Sequence, residues 1–188
     1  MGEDGAAEVR AGEDGAGNDG RFFDTADFAE QLVARPADPT DNATPAGAST
    51  LAAALTTYTA LSGRTAYREV AERVVAAAAG VIAKHPRYAG YAAAVAEAQL
   101  SGPYEIAVVG EPGEPGGAGE LLDVAWGAAP PGAVVVAGAP DTPGVPLLEG
   151  RPLLGGVPTA YVCRGFVCDR PVTDPRSLAA QLSGAASR

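Results

Sequence analysis

The sequence predicts an α+β fold, a block of alanine-rich helices followed by a small α/β unit. Three observations carry that reading. Between residues 51 and 100, apolar residues recur at helical spacing on an Ala background. After Pro103 the pattern changes to short β-branched runs, and Gly or Pro closes each run. Gly and Pro together supply 41 of 188 residues, yet 47% of the chain is hydrophobic and only 19% charged, which leaves enough apolar surface for a packed core. The length suits one domain, or one domain with a piece of another.

Residues 1 to 20 repeat Gly-Glu-Asp-Gly and carry no large apolar residue except Val9, so a disordered acidic tail is expected. Residues 21 to 50 read as an irregular lead-in, because Arg35-Pro36, Asp38-Pro39 and Thr44-Pro45 bias the chain away from helix. Thr44-Pro45 then offers an N-cap and a first helical position. Leu51, Leu55, Tyr58 and Leu61 mark one face of a helix that stops at Gly63. Thr65 serves as the cap of a second helix, striped by Tyr67, Val70, Val74, Val81 and Ile82 and ended by His85-Pro86. Tyr88, Tyr91, Val95 and Leu100 mark a third, shorter one before Gly102-Pro103. The abundant Ala between these positions permits close helical hairpins.

Tyr104 to Gly110 is a buried-strand run, 111 to 117 a Gly/Pro-rich loop, 118 to 127 a helix, and Ala133 to Gly138 a second strand, together one βαβ unit. Thr159 to Val162 and Phe166-Val167 flank Arg164-Gly165 as a hairpin, and Thr173 or Asp174 with Pro175 opens a last helix through Leu178 and Leu182. The boundaries expected are a tail at 1–20, a helical segment at 21–102, an α/β unit at 103–184 and a short tail at 185–188.

Net charge is −10, half of it in residues 1 to 20, and no basic stripe offers a nucleic-acid surface. No run of about 18 apolar residues exists to span a membrane. Two cysteines five apart do not fix a redox compartment, and a cytoplasmic location is the expectation. The loop after Gly110 lacks both the Gly-x-Gly-x-x-Gly pattern and the Lys-Ser/Thr of a phosphate loop. Its Glu and Pro residues oppose phosphate binding, so it reads as a surface loop and no cofactor is assigned.

Cys163 and Cys168 are the sharpest chemical feature. A hairpin turn between them brings the two thiols near facing positions, where they can form a disulfide, bind a metal or sit as small buried hydrophobes. Metal needs about four ligands. The only His is the remote His85 and the only adjacent carboxylate is Asp169, so no metal-ligand set is assigned. Arg164 and Arg170, close in sequence, are positioned to favour a thiolate, and the expected state is a pair of reduced thiols able to oxidise reversibly. His85 reads as a helix-end cation. Asp24, Asp27, Glu30, Asp38 and Asp41 cluster in the lead-in. Paired carboxylates can work on glycosides, but loop acids more often cap helices and close turns.

Phe22-Phe23-Asp24-Thr25-x-Asp27, Leu32, Arg35-Pro36 and Asp41-Asn42-Ala43-x-Pro45-x-Gly47-x-Ser49 resemble the last third of the spermatogenesis-associated, thioredoxin-domain-containing family. Pro158-Thr159-Ala160-Tyr161-Val162-Cys163, Cys168 and Pro171-x-Thr173-Asp174-Pro175 are similar to its C-terminal signature. The resemblance spans about residues 21 to 184, in the family's order. It implies helices from a partial (α/α)-toroid of the six-hairpin glycosidase or sugar-epimerase kind, and a chain that is the C-terminal portion of a longer protein. The redox-type motif of that family's thioredoxin-like domain would lie outside it. Phe28, Ala46 and Ala48 depart from the family's polar residues and weaken a working cleft.

Two classes of function therefore stand as expectations. The first is a segment without catalysis of its own that supports a sugar-processing or protein-modifying parent, with a cleft for a small carbohydrate at Asp24, Asp27, Asp41, Asn42 and Ser49. The second is a small redox or metal-binding module using Cys163 and Cys168. Helices cut from a ring also predict apolar faces without partners, at Leu51, Leu55, Val70 and Val74, and self-association through them.

Overall fold

A computed structural model describes residues 22–26, 28, 33–111 and 118–185; the expected acidic tail, Asp27, Glu30, Leu32, most of the Gly/Pro-rich loop and the last three residues lie outside them. The fold is α+β, as predicted. In order come α1 (Gly47–Ser62), α2 (Thr65–Lys84), a 3-10 turn (Pro86–Tyr88), α3 (Gly90–Ser101), β1 (Glu105–Val109), α4 (Gly119–Ala128) and β2 (Val134–Gly138). A second 3-10 turn (Pro146–Leu148), β3 (Thr159–Arg164), β4 (Val167–Cys168) and α5 (Pro175–Ala185) follow.

α1 begins at Gly47 rather than at Thr44-Pro45. The Asp41 carboxylate accepts the Ala46 N–H at 3.0 Å, so Ala46 becomes the N-cap and its carbonyl accepts the first helical bond from Thr50 at 3.0 Å. Gly63, at φ 70°, ends the helix in the left-handed conformation that Gly adopts without steric cost. α2 starts at Thr65 itself, with Arg64 rather than Thr65 as the N-cap and no side-chain cap bond, and stops as expected at His85, whose backbone N–H reaches the Val81 carbonyl before Pro86. α3 differs in the face it buries. Ala92, Val95 and Ala98 face the bundle, whereas Tyr91 and Leu100 point outward and Tyr88 sits in the preceding 3-10 turn. Small residues let the helices approach closely, which leaves no room between them for a Tyr or Leu stripe.

Of the four positions expected to lack partners, Val74 and Leu55 pack within the helical bundle. Val74 is buried with Ala52, Ala71 and Val95, Leu55 lies against that cluster, and Leu51 and Val70 are half-buried. A second small cluster, Ala78, Ala89 and Ala92 with Val81 and Ile82, closes the far end of α2.

The sheet has the order β2-β1-β3-β4, with β1 parallel to β2 and antiparallel to β3. The parallel pair is the predicted βαβ unit. Alternation sorts its two faces. Ile106, Val108, Ala160 and Val162 pack under Leu121 and Ala125 of α4 and Leu178 and Leu182 of α5. Ala107, Val109, Tyr161 and Cys163 face Leu147, Leu148 and the end of α1 at Leu61. Both faces are covered, which is why every residue of β1 is buried. At Gly132 (φ 75°) an added Cβ would stand 2.2 Å from that of Ala98, so glycine lets α3 press against the turn before β2. Asp174 opens α5, its carboxylate accepting the Ser177 N–H at 2.9 Å ahead of Pro175.

Candidate functional site at the β3–β4 hairpin

The hairpin turns at Gly165–Phe166, one residue later than predicted, because Arg164 pairs with Val167 across it. Both turn residues have positive φ, 55° and 65°, the combination that matches the twist of a two-residue hairpin. Phe166 is no glycine, and its neighbours hold it there. Its N–H donates to Glu105 Oε2 at 2.7 Å, and a Cβ at Gly63 would lie 3.3 Å from its ring, so the turn is seated against the α1–α2 junction. The shifted register sets Cys163 directly opposite Cys168. The two are joined in a disulfide rather than standing as the expected reduced thiols, with an S–S distance of 2.03 Å. Their Cα atoms are 3.8 Å apart, closer than the roughly 4.4–6.8 Å usual for such bonds.

Arg151 supplies the charge beside the sulfurs. It lies in the segment between the second 3-10 turn and β3 and is only 7% exposed. Nη2 is 3.3 Å from Cys168 Sγ and 3.7 Å from Cys163 Sγ, and Nη1 donates to the Glu149 carbonyl at 3.1 Å. Nε is buried with no acceptor, and among the described residues no carboxylate lies within ion-pair distance of this guanidinium. Its centre stands 5.7 Å from the Phe166 ring centroid. Arg164 and Arg170, expected near the sulfurs, are used otherwise. Arg164 stacks on Tyr104 at 4.1 Å from the ring centroid and bonds its hydroxyl, and Tyr104 belongs to the opposite face of the sheet. Arg170 is exposed, and its carbonyl accepts the Gln181 side chain.

Glu105 pairs with Cys163 across β1 and β3 and is 3% exposed. Burial pushes its carboxyl above the ordinary value, against the opposing pull of the Phe166 and Gly165 amides and the Arg151 and Arg68 charges. Tyr161, whose hydroxyl donates to the Pro152 carbonyl at 2.6 Å, is likewise raised by burial, with Arg151 opposing. An open cleft of about 500 Å³ lies alongside, lined by Pro146, Glu149, Gly150, Arg151, Tyr161, Phe166 and Cys168. Cys163 is 2% exposed and does not line it.

The described lead-in acids, Asp24, Asp38 and Asp41, serve mainly as backbone acceptors, and Asp27 and Glu30 lie outside the described residues. Asp41 accepts the Ala46 N–H and, at 2.7 Å, the Tyr91 N–H, so it fastens the starts of α1 and α3. Asp24 accepts the Asp38 N–H at 3.3 Å. Asp38 bonds the Thr40 hydroxyl and amide, which hold its pKa below the usual value. Asn42 is exposed, its N–H closing a turn on the Thr44 carbonyl. Ser49 lines a cavity of about 400 Å³ between the lead-in and α1–α3, shared with Phe22, Asp38 and Val74. His85 is exposed at the end of α2. No group of metal-binding side chains occurs among the described residues. Among the described residues no helix is long and apolar enough to cross a membrane.

Sequence reasoning missed Arg151 and Glu105. Arg151 lies 12 positions before Cys163 in an aperiodic segment, and Glu105 reads as one polar residue in a strand. The one available signal was a charged residue opening an otherwise apolar strand run. No known family model, curated protein or solved structure matches the chain.

Proposed function

We propose that the chain carries a thiol–disulfide module in which Cys163 and Cys168 cycle between disulfide and dithiol. The observation that carries this reading is the buried Arg151 guanidinium, held against both sulfurs with no carboxylate in ion-pair distance among the described residues. A neutral disulfide leaves that charge without an anion, whereas reduction puts a thiolate beside it. Stabilising the thiolate favours the reduced state and speeds exchange. A crosslink serving stability alone has no use for such a charge. The test is a redox titration of the folded protein. Two thiols should appear on reduction and vanish on reoxidation with the circular dichroism spectrum unchanged. A pair reducible only after denaturation would mark a purely structural bond.

A second reading rests on the cavity at Ser49. Phe22 supplies an aromatic wall, and Asp38 and Ser49 supply polar groups, a lining suited to a small carbohydrate. It accompanies the proposal, based on resemblance, that this chain is part of a larger toroid protein. Chemical-shift changes at Ser49 and Val74 in a screen of simple sugars test the cavity. A thioredoxin-like domain encoded upstream in the same reading frame tests the parentage.

A further inference from the structure

We propose that the cleft beside Cys168 receives a low-molecular-weight thiol bearing a carboxylate, which exchanges with the disulfide while its carboxylate pairs with Arg151. This rests on the redox reading above and adds to it the class of the exchange partner. Access decides which sulfur is attacked. Cys168 is half-buried and lines the cleft, whereas Cys163 is 2% exposed and lies behind it. Charge decides what enters. Arg151 lines the cleft, is nine-tenths buried, has no acceptor at Nε and has no carboxylate within ion-pair distance among the described residues. A buried guanidinium in that state favours an anion placed directly against it, whereas the Glu149 carboxylate, which also lines the cleft, is exposed and solvated. Pro146 and the Phe166 ring give the apolar wall that a short carbon chain packs against, and the volume of about 500 Å³ matches a small molecule.

The thiolate of the small molecule attacks Cys168 Sγ, a new S–S bond forms there, and the Cys163–Cys168 bond breaks. Cys163 departs with the electron pair as a thiolate on the Arg151 side. A second molecule of the same thiol attacks the mixed disulfide at the small molecule's sulfur, forming the small-molecule disulfide and freeing Cys168 as thiolate. Two thiols are oxidised, one protein disulfide is reduced, and the protons they lose pass to water or to the new cysteine thiols.

The test uses the full oxidised chain with 3-mercaptopropionate, 2-mercaptoethanol and cysteamine, compared at equal thiolate concentration and corrected for thiol basicity. One favourable charge pair makes 3-mercaptopropionate roughly fivefold faster than 2-mercaptoethanol, with cysteamine slowest. The mixed disulfide should map to Cys168 by mass spectrometry. Raising the salt to about 1 M should shrink the preference in the unaltered protein, whatever the folding of variants. Arg151→Gln should abolish it and Arg151→Lys should keep part of it. Rates that follow basicity alone, or an adduct on Cys163, overturn the partner assignment and leave the redox reading standing. Resistance to all three thiols in the folded protein overturns both.

Discussion

Arg151 Nη2 lies 3.3 Å from the sulfur of Cys168, on a buried side chain with no carboxylate in ion-pair distance among the described residues. Such a contact is weak with a neutral disulfide and strong with a thiolate, where a charge-assisted hydrogen bond contributes about 1.5–3 kcal/mol. Arg151→Gln should therefore shift the dithiol–disulfide equilibrium about tenfold or more toward the disulfide. Equilibration in dithiothreitol buffers, with alkylation to count thiols, measures this. An unchanged equilibrium in a folded variant detaches Arg151 from the redox chemistry.

Glu105 acts in the opposite sense. Its carboxyl is held above the ordinary value of 4.5 by burial. The folded state then binds the proton more tightly than the unfolded one, so this group's contribution is fully present below about pH 4.5 and declines as pH rises through the raised value. Asp38 and Asp174 are held below their ordinary value of 3.8, so their contribution is present above it and is lost only at lower pH. The two windows do not overlap. Urea melts between about pH 4.5 and 8 should show stability falling in the natural protein and a flatter profile in Glu105→Gln. Because Glu105 faces Cys163, the same variant should also lower the thiol pKa, read from the pH dependence of alkylation. A variant with the same slope as the natural protein would assign the decline to other groups.

Local pattern explains what was legible in the sequence. β1, β2 and α2 declare themselves through apolar runs and period, and Asp174-Pro175 opens α5 by an ordinary cap. The misreadings have a common cause in packing. The Ala-rich helices made Tyr91 and Leu100 look like a core stripe, although close helix approach admits only Ala92, Val95 and Ala98. The hairpin slipped by one residue because Gly165 drew the turn toward Arg164, while the bond from Phe166 to Glu105 fixes it later. Arg151 was invisible because only tertiary folding brings residue 151 to the sulfurs. The cysteine pair was legible because its spacing and its turn are local.

Asp41 illustrates a candidate whose observed work is structural. One oxygen takes the Ala46 N–H at 3.0 Å and the other the Tyr91 N–H at 2.7 Å, so a single carboxylate serves the beginnings of two helices through amides 5 and 50 positions along the chain. Both helix N-termini favour negative charge. Asp41→Ala should cost about 1–3 kcal/mol, and Asp41→Asn, which keeps one acceptor, should cost less. Thermal or urea unfolding measures both. An alanine variant as stable as the natural protein would release Asp41 from this role and reopen it as a ligand group.

The disulfide itself should be nearly dispensable for folding. It closes a loop with a sequence separation of 5, so it restricts the unfolded chain little, and the chain-entropy relation assigns about 2 kcal/mol to so short a ring. The hairpin has other supports. Phe166 is bonded to Glu105 and packed near Gly63, the Asp169 N–H reaches the Val162 carbonyl at 2.9 Å, and Ala160 and Val172 exchange two backbone bonds at 2.8 and 3.0 Å. Reduction also gives Arg151 an anion, which offsets part of the loss. Cys163→Ala combined with Cys168→Ala removes the bond without supplying that anion, so it should be less stable than the reduced natural protein, while both still unfold cooperatively. Calorimetry on the oxidised, reduced and doubly substituted forms gives the order. If the doubly substituted chain matches the reduced one, the thiolate–Arg151 contact contributes nothing to the reduced state, and the thermodynamic basis of the cycle is gone.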